Sequence, residues 1–210
     1  MFTLATYSLF LGAAVALILT PGPDTLYVLT QGMGTGRRAG VKSVFGISTG
    51  ILVHTTAAAL GLSVLLRTSA VAFDVVKYAG AGYLLYLGVK TLRNHEELAL
   101  EASDGGDETD NSYARGVTVN VLNPKVALFF LAFLPQFVDA SGNVALQFGL
   151  LGVSYAVLTL AYLTTVALLS GTIRRVIDAH ERAMDVLRWT TGSVLVGLGV
   201  RLLLGSRAGG

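Results

Sequence analysis

Two charged residues stand directly after a proline inside apolar sequence: Asp24 in Thr20-Pro21-Gly22-Pro23-Asp24 and Lys125 in Asn123-Pro124-Lys125. A carboxylate and an ammonium so placed can hold the two ends of a dipolar ligand, handle a proton, or neutralise each other. Asn120 and Asn123 beside the second proline offer donors and acceptors, either to a ligand or to freed backbone groups. His54, in the middle of a third apolar run, suits an interhelical hydrogen bond or a proton relay. Each charge at the centre of a membrane span costs about 2.5–3.5 kcal/mol. The elements around these residues therefore decide what they do.

Those elements are membrane spans. Of the 210 residues 53% are hydrophobic and 13% charged, against about 25% charged in soluble domains. Mean hydropathy is +0.65. Apolar runs near the roughly 20 residues that cross a bilayer recur at about 4–33, 41–66, 70–91, 116–138, 144–171 and 186–204. Pro21 and Pro23, with Gly22 between them, interrupt the first run, and Pro124 interrupts the fourth. Proline has no N–H to donate and its ring clashes with the preceding turn. Cutting the first run at Pro21 leaves two pieces each too short to cross, so it reads as one interrupted helix. The fold class is all-α, a polytopic membrane protein of six spans. The N-terminus lacks a basic leader and a small-residue cleavage site, so the first span is expected to be retained.

Lys and Arg mark the sides. Ten basic residues fall on one set of connections (Arg37, Arg38, Lys42; Lys90, Arg93, Arg115; Arg174, Arg175, Arg182, Arg188) and three on the other (Arg67, Arg201, Arg207). The richer side is expected to be cytoplasmic and both termini outside. This topological role absorbs the basic residues, and no nucleic-acid partner is expected. The connection 93–114 is acidic, with Glu96, Glu97, Glu101, Asp104, Asp107, Glu108 and Asp110. It reads as a solvated cytoplasmic linker, with a cation-attracting or regulatory loop as the alternative. Residues 173–178 alternate apolar and charged in a helical pattern that fits a short helix on the cytoplasmic surface.

The linker separates two similar halves, 1–92 and 115–210, of three spans each. Pro23-Asp24 and Pro124-Lys125 lie 101 residues apart, and the same offset carries the start of the second span to the start of the fifth. Three spans per half make the halves enter from opposite sides, an inverted-topology repeat. Paired Gly/Pro-interrupted spans in such halves point to a midplane transport site. A free amino acid needs a partner for its carboxylate and another for its ammonium. Lys125, with the N–H groups at a half-helix start, suits the first; Asp24 suits the second, or a coupling proton. A structural ion pair between Asp24 and Lys125 is the alternative. Gly46, Gly50, His54 and Ala58 recur every fourth residue as a close-packing seam. Tyr155, Thr159 and Tyr162, with Ser154 beside them, form a polar stripe that either borders a pathway or bonds between helices. Tyr78, Gly82 and Tyr86 are expected to pack, and Arg201 to reach the outer surface.

Thr20-Pro21-Gly22-Pro23-Asp24, Tyr83-Leu84-Leu85-Tyr86-Leu87-Gly88, and Asn123-Pro124-Lys125 followed by Phe129-Phe130-Leu131-Ala132-Phe133-Leu134-Pro135-Gln136-Phe137 resemble the LysE/RhtB family of amino-acid exporters. The resemblance runs through nearly the whole chain. It implies an inner-membrane translocator of two inverted halves that exports amino acids or close derivatives, driven by the proton gradient. It carries over Pro21, Gly22, Pro23, Asp24, Asn123, Pro124 and Lys125 as motif positions. The acidic linker departs from the short basic or neutral one expected of the family. No catalytic residue, cofactor or metal is expected: the chain has no cysteine and no His/Asp/Glu cluster at metal-ligand spacing.

Two other functions stay open on residues alone. A membrane-embedded hydrolase would need a nucleophile and base at one depth, and Ser48 with His54 comes nearest. Six residues on a helix turn them roughly 240° apart. A passive channel would not need opposite charges at two breaks. The expected partners are an amino acid, a proton and the bilayer; the glycine-rich faces suit intramolecular packing or a homodimer equally.

Overall fold

The computed structural model describes residues 2–64, 70–93, 111–179 and 181–204, and they form eight helices with short connections. The acidic stretch 94–110 lies outside them. Helix α1 (Leu4–Leu19) begins on Thr3, whose side chain accepts the Thr6 N–H, and stops at Thr20, ahead of Pro21. Helix α2 (Pro23–Gly34) restarts at a bend of 49°. Gly36, at φ +103°, turns the chain into α3 (Arg37–Ala57) through a left-handed conformation that side chains rarely adopt. Helix α3 runs on through a π turn, Ala58–Leu62. Helix α4 is Ala70–Arg93.

The second half repeats the pattern. Helix α5 (Ser112–Val121) ends before Asn123-Pro124, and α6 (Pro124–Leu128) restarts at 47°, continuing through a π turn, Phe129–Phe133, and a 3₁₀ turn, Leu134–Phe137. Helices α7 (Val144–Ala179) and α8 (Glu181–Leu204) complete the bundle. Arg37–Leu62 and Val144–Ile173 are long and apolar enough to cross a membrane, as are the bent pairs α1–α2 and α5–α6 if each is one span. The separate surface helix expected over 173–178 is instead the end of α7, which no proline interrupts.

The exterior is apolar, and the interior combines an apolar core with buried polar groups at the breaks. Leu4, Leu60, Val71, Val157, Leu169 and Leu204 face outward, while Thr20, Asp24, Gln31, Asn120, Asn123 and Lys125 are buried. Without a hydrophobic force between helices in lipid, close backbone approach at small residues holds them together. Two crossings join the halves this way. At α3–α5, a Cβ on Gly46 would collide with the Tyr113 carbonyl, and one on Gly116 would lie 2.5 Å from the Ser43 carbonyl. At α4–α8, Gly88 faces Val196, Gly192 faces Leu92 and Gly199 faces Leu85, an antiparallel run. Helix α7 packs on α3, with Gly152 against Thr55.

The seam of Gly46, Gly50, His54 and Ala58 thus lies in the interior as its spacing implies. Tyr78, Gly82 and Tyr86 do not: both tyrosines are more than half exposed and nothing lies within 4 Å of a Cβ placed on Gly82. That face of α4 points away from the bundle. Arg201 leans its guanidinium over Phe133 and Phe137, each 5.9 Å from the ring centroid.

Gly46→Leu is expected to destabilise the detergent-solubilised protein by at least about 3 kcal/mol, because backbone rather than a movable side chain blocks the new atoms. Gly82→Leu is expected to leave stability unchanged. Melting temperatures of the two variants against the parent decide it.

Candidate functional site

Each proline break removes an N–H that a helix would have used. Leu17 lies four residues before Pro21, and Asn120 four before Pro124, so neither carbonyl receives its usual i+4 donor. An unsatisfied carbonyl in lipid is costly and must find another partner. In both cases the other half of the chain supplies one. Lys125 Nζ donates to Leu17 O at 3.3 Å and to Thr20 O at 2.7 Å. His54 Nε2 lies 3.2 Å from Asn120 O, and since a carbonyl only accepts, that nitrogen carries the proton. Asn120 O also accepts the Asn123 N–H at 3.0 Å.

The side chains at the breaks interlock as well. Asp24, the second residue of α2, accepts from Asn120 Nδ2 at 2.8 Å through Oδ2. Lys125 is the second residue of α6, behind the N-cap Asn123, whose Oδ1 accepts the Lys125 N–H at 3.0 Å. Asp24 and Lys125 thus occupy matching places, each after a proline at the helix start, and each reaches toward the end of the opposite half's preceding helix. Their side chains are both buried and line one small cell with Ile18, Thr25, Tyr155, Thr159, Tyr162 and Leu163, about 10 Å³ in volume. Such a space is at the lower limit for one water.

Asp24 and Lys125 make no direct ion pair among the described contacts, although the ammonium lies close enough to act on the carboxylate through its charge. Asp24 Oδ1 and Asn120 Oδ1 have no hydrogen-bond partner. Asn123 Nδ2 lies near Asp24 without a bond of good geometry. A buried acceptor left open beside a buried ammonium marks a place where a further donor would be stabilised.

A larger cavity of about 320 Å³ opens on the other face of Lys125. Pro21, Gly22 and Pro23 of the first break meet Asn123, Pro124 and Lys125 of the second along its inner wall. Leu26, Leu87 and Leu195 add an apolar lining, and Lys90, Thr91 and Thr191 a polar one. The volume falls at the low end of small-ligand pockets, about 300–1,000 Å³. Every expected site residue except His54 lines one of the two spaces or bonds to one that does; His54 holds Asn120 from behind, stacked on Phe130 at 5.7 Å. Of the polar stripe on α7, Tyr155, Thr159 and Tyr162 border the small cell, while Ser154 bonds to Tyr7 at 2.8 Å. Leu87, Leu195 and Thr191 were not recognisable beforehand, since apolar and Thr residues carry no distinguishing signal in an apolar helix.

Ser48 Oγ donates to the Val44 carbonyl and His54 to Asn120, so these two form no nucleophile–base pair.

The leucine efflux protein of Klebsiella pneumoniae subsp. pneumoniae is 31% identical over 207 residues, covering 96% of each chain. That of Salmonella typhimurium is 30% identical over 203 residues, 93% of each. An uncharacterized membrane protein of Bacillus subtilis, YrhP, is 29% identical over 201 residues, 91% of this chain and 95% of its own. No solved structure matches the chain. The LysE type translocator family matches residues 15–206, which contain both breaks, both charged residues and all the cavity-lining helices. The chain belongs to the LysE type translocator family and is a transporter, not an enzyme.

Proposed function

We propose that this protein is a secondary exporter that carries aliphatic amino acids out across the cytoplasmic membrane in exchange for protons. The observation that carries this reading is Lys125, which lines both the larger cavity, beside Leu26, Leu87 and Leu195, and the small cell that holds Asp24 from the other break. Lys125 and the start of α2 would take the carboxylate, Asp24 the ammonium or the coupling proton, and Leu26, Leu87 and Leu195 the side chain. The names of the Klebsiella and Salmonella relatives support leucine as the cargo.

In this reading the six helical units are six spans. Their halves, 1–92 and 115–210, are inverted repeats joined by the cytoplasmic linker 93–114, and both termini lie outside. Matching Pro-charge positions at residues 23–24 and 124–125 support the repeat. By chain direction the part of the cavity lined by Lys90 and Thr191 then lies toward the cytoplasmic side. The opposite side of the breaks is filled by Phe10, Phe129, Phe130, Phe133, Phe137 and Tyr155, in ring contact with one another. Cargo would enter from inside, and rearrangement of this aromatic cluster would open the way out, an alternating-access cycle.

In proteoliposomes loaded with amino acids, an imposed pH gradient is expected to drive release of leucine. Asp24→Asn is expected to abolish the coupling and Lys125→Gln to abolish export; normal transport by both variants would remove the site assignment. Leu195→Ala is expected to raise the KM for leucine about tenfold with kcat nearly unchanged, the signature of lost side-chain binding. Asn120→Ala, which removes the hydrogen bond to Asp24 Oδ2, is expected to cost about 1–3 kcal/mol of stability in thermal unfolding.

A further inference from the structure

The carbonyl end of α1 is an unusual partner for a lysine that has a carboxylate nearby. Lys125 Nζ spends two of its three N–H donors on Leu17 O and Thr20 O, while Asp24 Oδ1, buried in the adjoining cell, accepts from nothing. Helix C-termini carry partial negative charge, and half-helix ends of this kind coordinate cations in transporters with broken helices. Lys125 reaches this cradle from the opposite half and borders both the 320 Å³ cavity and the Asp24 cell. Gly22 leaves the space: a Cβ there would lie 2.9 Å from Nζ and 3.2 Å from Cε. Its backbone is extended, at φ −157°, so room rather than conformation calls for glycine.

We propose that the Leu17 and Thr20 carbonyls form the subsite for the substrate's ammonium group, with the Asp24 carboxylate of the adjoining cell as its nearby counter-charge, and that Lys125 is its tethered occupant. A primary ammonium arriving from the cavity can donate to both carbonyls, as the Lys125 ammonium does. It displaces Lys125, whose charge then meets the substrate's carboxylate. Because Lys125 belongs to the second half and the carbonyls to the first, the displacement also releases a latch between halves. The proposal rests on the amino-acid exporter reading, and it adds a requirement for N–H donors on the cation rather than charge alone.

The test is exchange of labelled leucine across proteoliposomes without a pH gradient, so that permeant amines have none to dissipate. Lys125→Ala is expected to slow exchange at least about tenfold, the scale of one lost charge-assisted hydrogen bond. In that variant ethylammonium or propylammonium should compete with leucine for the vacated subsite and raise its KM severalfold, whereas tetramethylammonium, equally charged but without N–H, should not. Gly22→Ala, which pushes the lysine end off the carbonyls, should slow exchange severalfold while remaining monodisperse by size exclusion. Replacing sodium by choline should leave the parent unchanged. Equal competition by tetramethylammonium, no competition by any primary amine in a folded Lys125→Ala protein, undiminished exchange in that variant, or a sodium requirement would overturn the proposal. Should Lys125→Ala fail to fold, normal exchange by Gly22→Ala overturns it. A parent protein that exchanges no amino acid would instead overturn the exporter reading on which it stands.

Discussion

The structure depends on the need to satisfy backbone carbonyls that proline leaves open inside the membrane. Pro21 and Pro124 each delete the donor for a carbonyl four residues earlier, and in a bilayer water does not replace it. Leu17 O is met by Lys125 and Asn120 O by His54, in both cases from the other half of the chain. Without the second half Leu17 O would lose the partner it has here, whereas Asn120 O would keep the Asn123 N–H of its own half. The same groups that repair the backbone are charged or titratable, so a structural necessity places polar chemistry at the centre of an apolar bundle. Asn120 shows the economy of this: its carbonyl is the one repaired, and its amide holds Asp24.

Much of this was legible in the sequence because proline and charge are rare and unambiguous in apolar runs. Asp24, Lys125, Asn120, Asn123 and His54 could be named from type and position, and all five converge on the two breaks. What was not legible was the direction of each contact. Sequence leaves open whether Lys125 pairs with Asp24; the structure turns it to the Leu17 and Thr20 carbonyls, a choice set by how the helices pack and not by local pattern. Spacing also could not separate a face that packs from one that meets lipid. Gly46 and Gly82 both sit in four-residue patterns expected to pack, yet a Cβ on one meets backbone and on the other meets nothing within 4 Å. Likewise the amphipathic stretch 173–178 has a helical period in either case, and only the lack of a breaker after Gly171 makes it part of α7.

The two sides of the breaks differ in kind. Toward Lys90 and Thr191 there is open volume with one apolar wall. Toward Phe137 there are stacked and edge-on rings with almost no exposure, carried on a stretch that leaves α-helical geometry twice within nine residues, first as a π turn and then as a 3₁₀ turn. Such irregular turns often mark functional sites and hinges in helices. Aromatic contacts supply a tight, dry closure that does not rely on hydrogen bonds. The polar residues that hold the breaks are thus shielded on one side and approachable on the other.

The long glycine contact between α4 and α8 has a consequence for how the chain may be cut. Each helix comes from a different side of the acidic linker, and each fills notches in the other: Val196 in the notch at Gly88, Leu92 in that at Gly192. With α3 crossing α5 just as closely, each of these helix pairs joins early and late sequence. Severed at the linker, the two fragments would be interleaved partners rather than self-sufficient modules, and a hybrid joining the front of one relative to the back of another would have to match both glycine crossings at once.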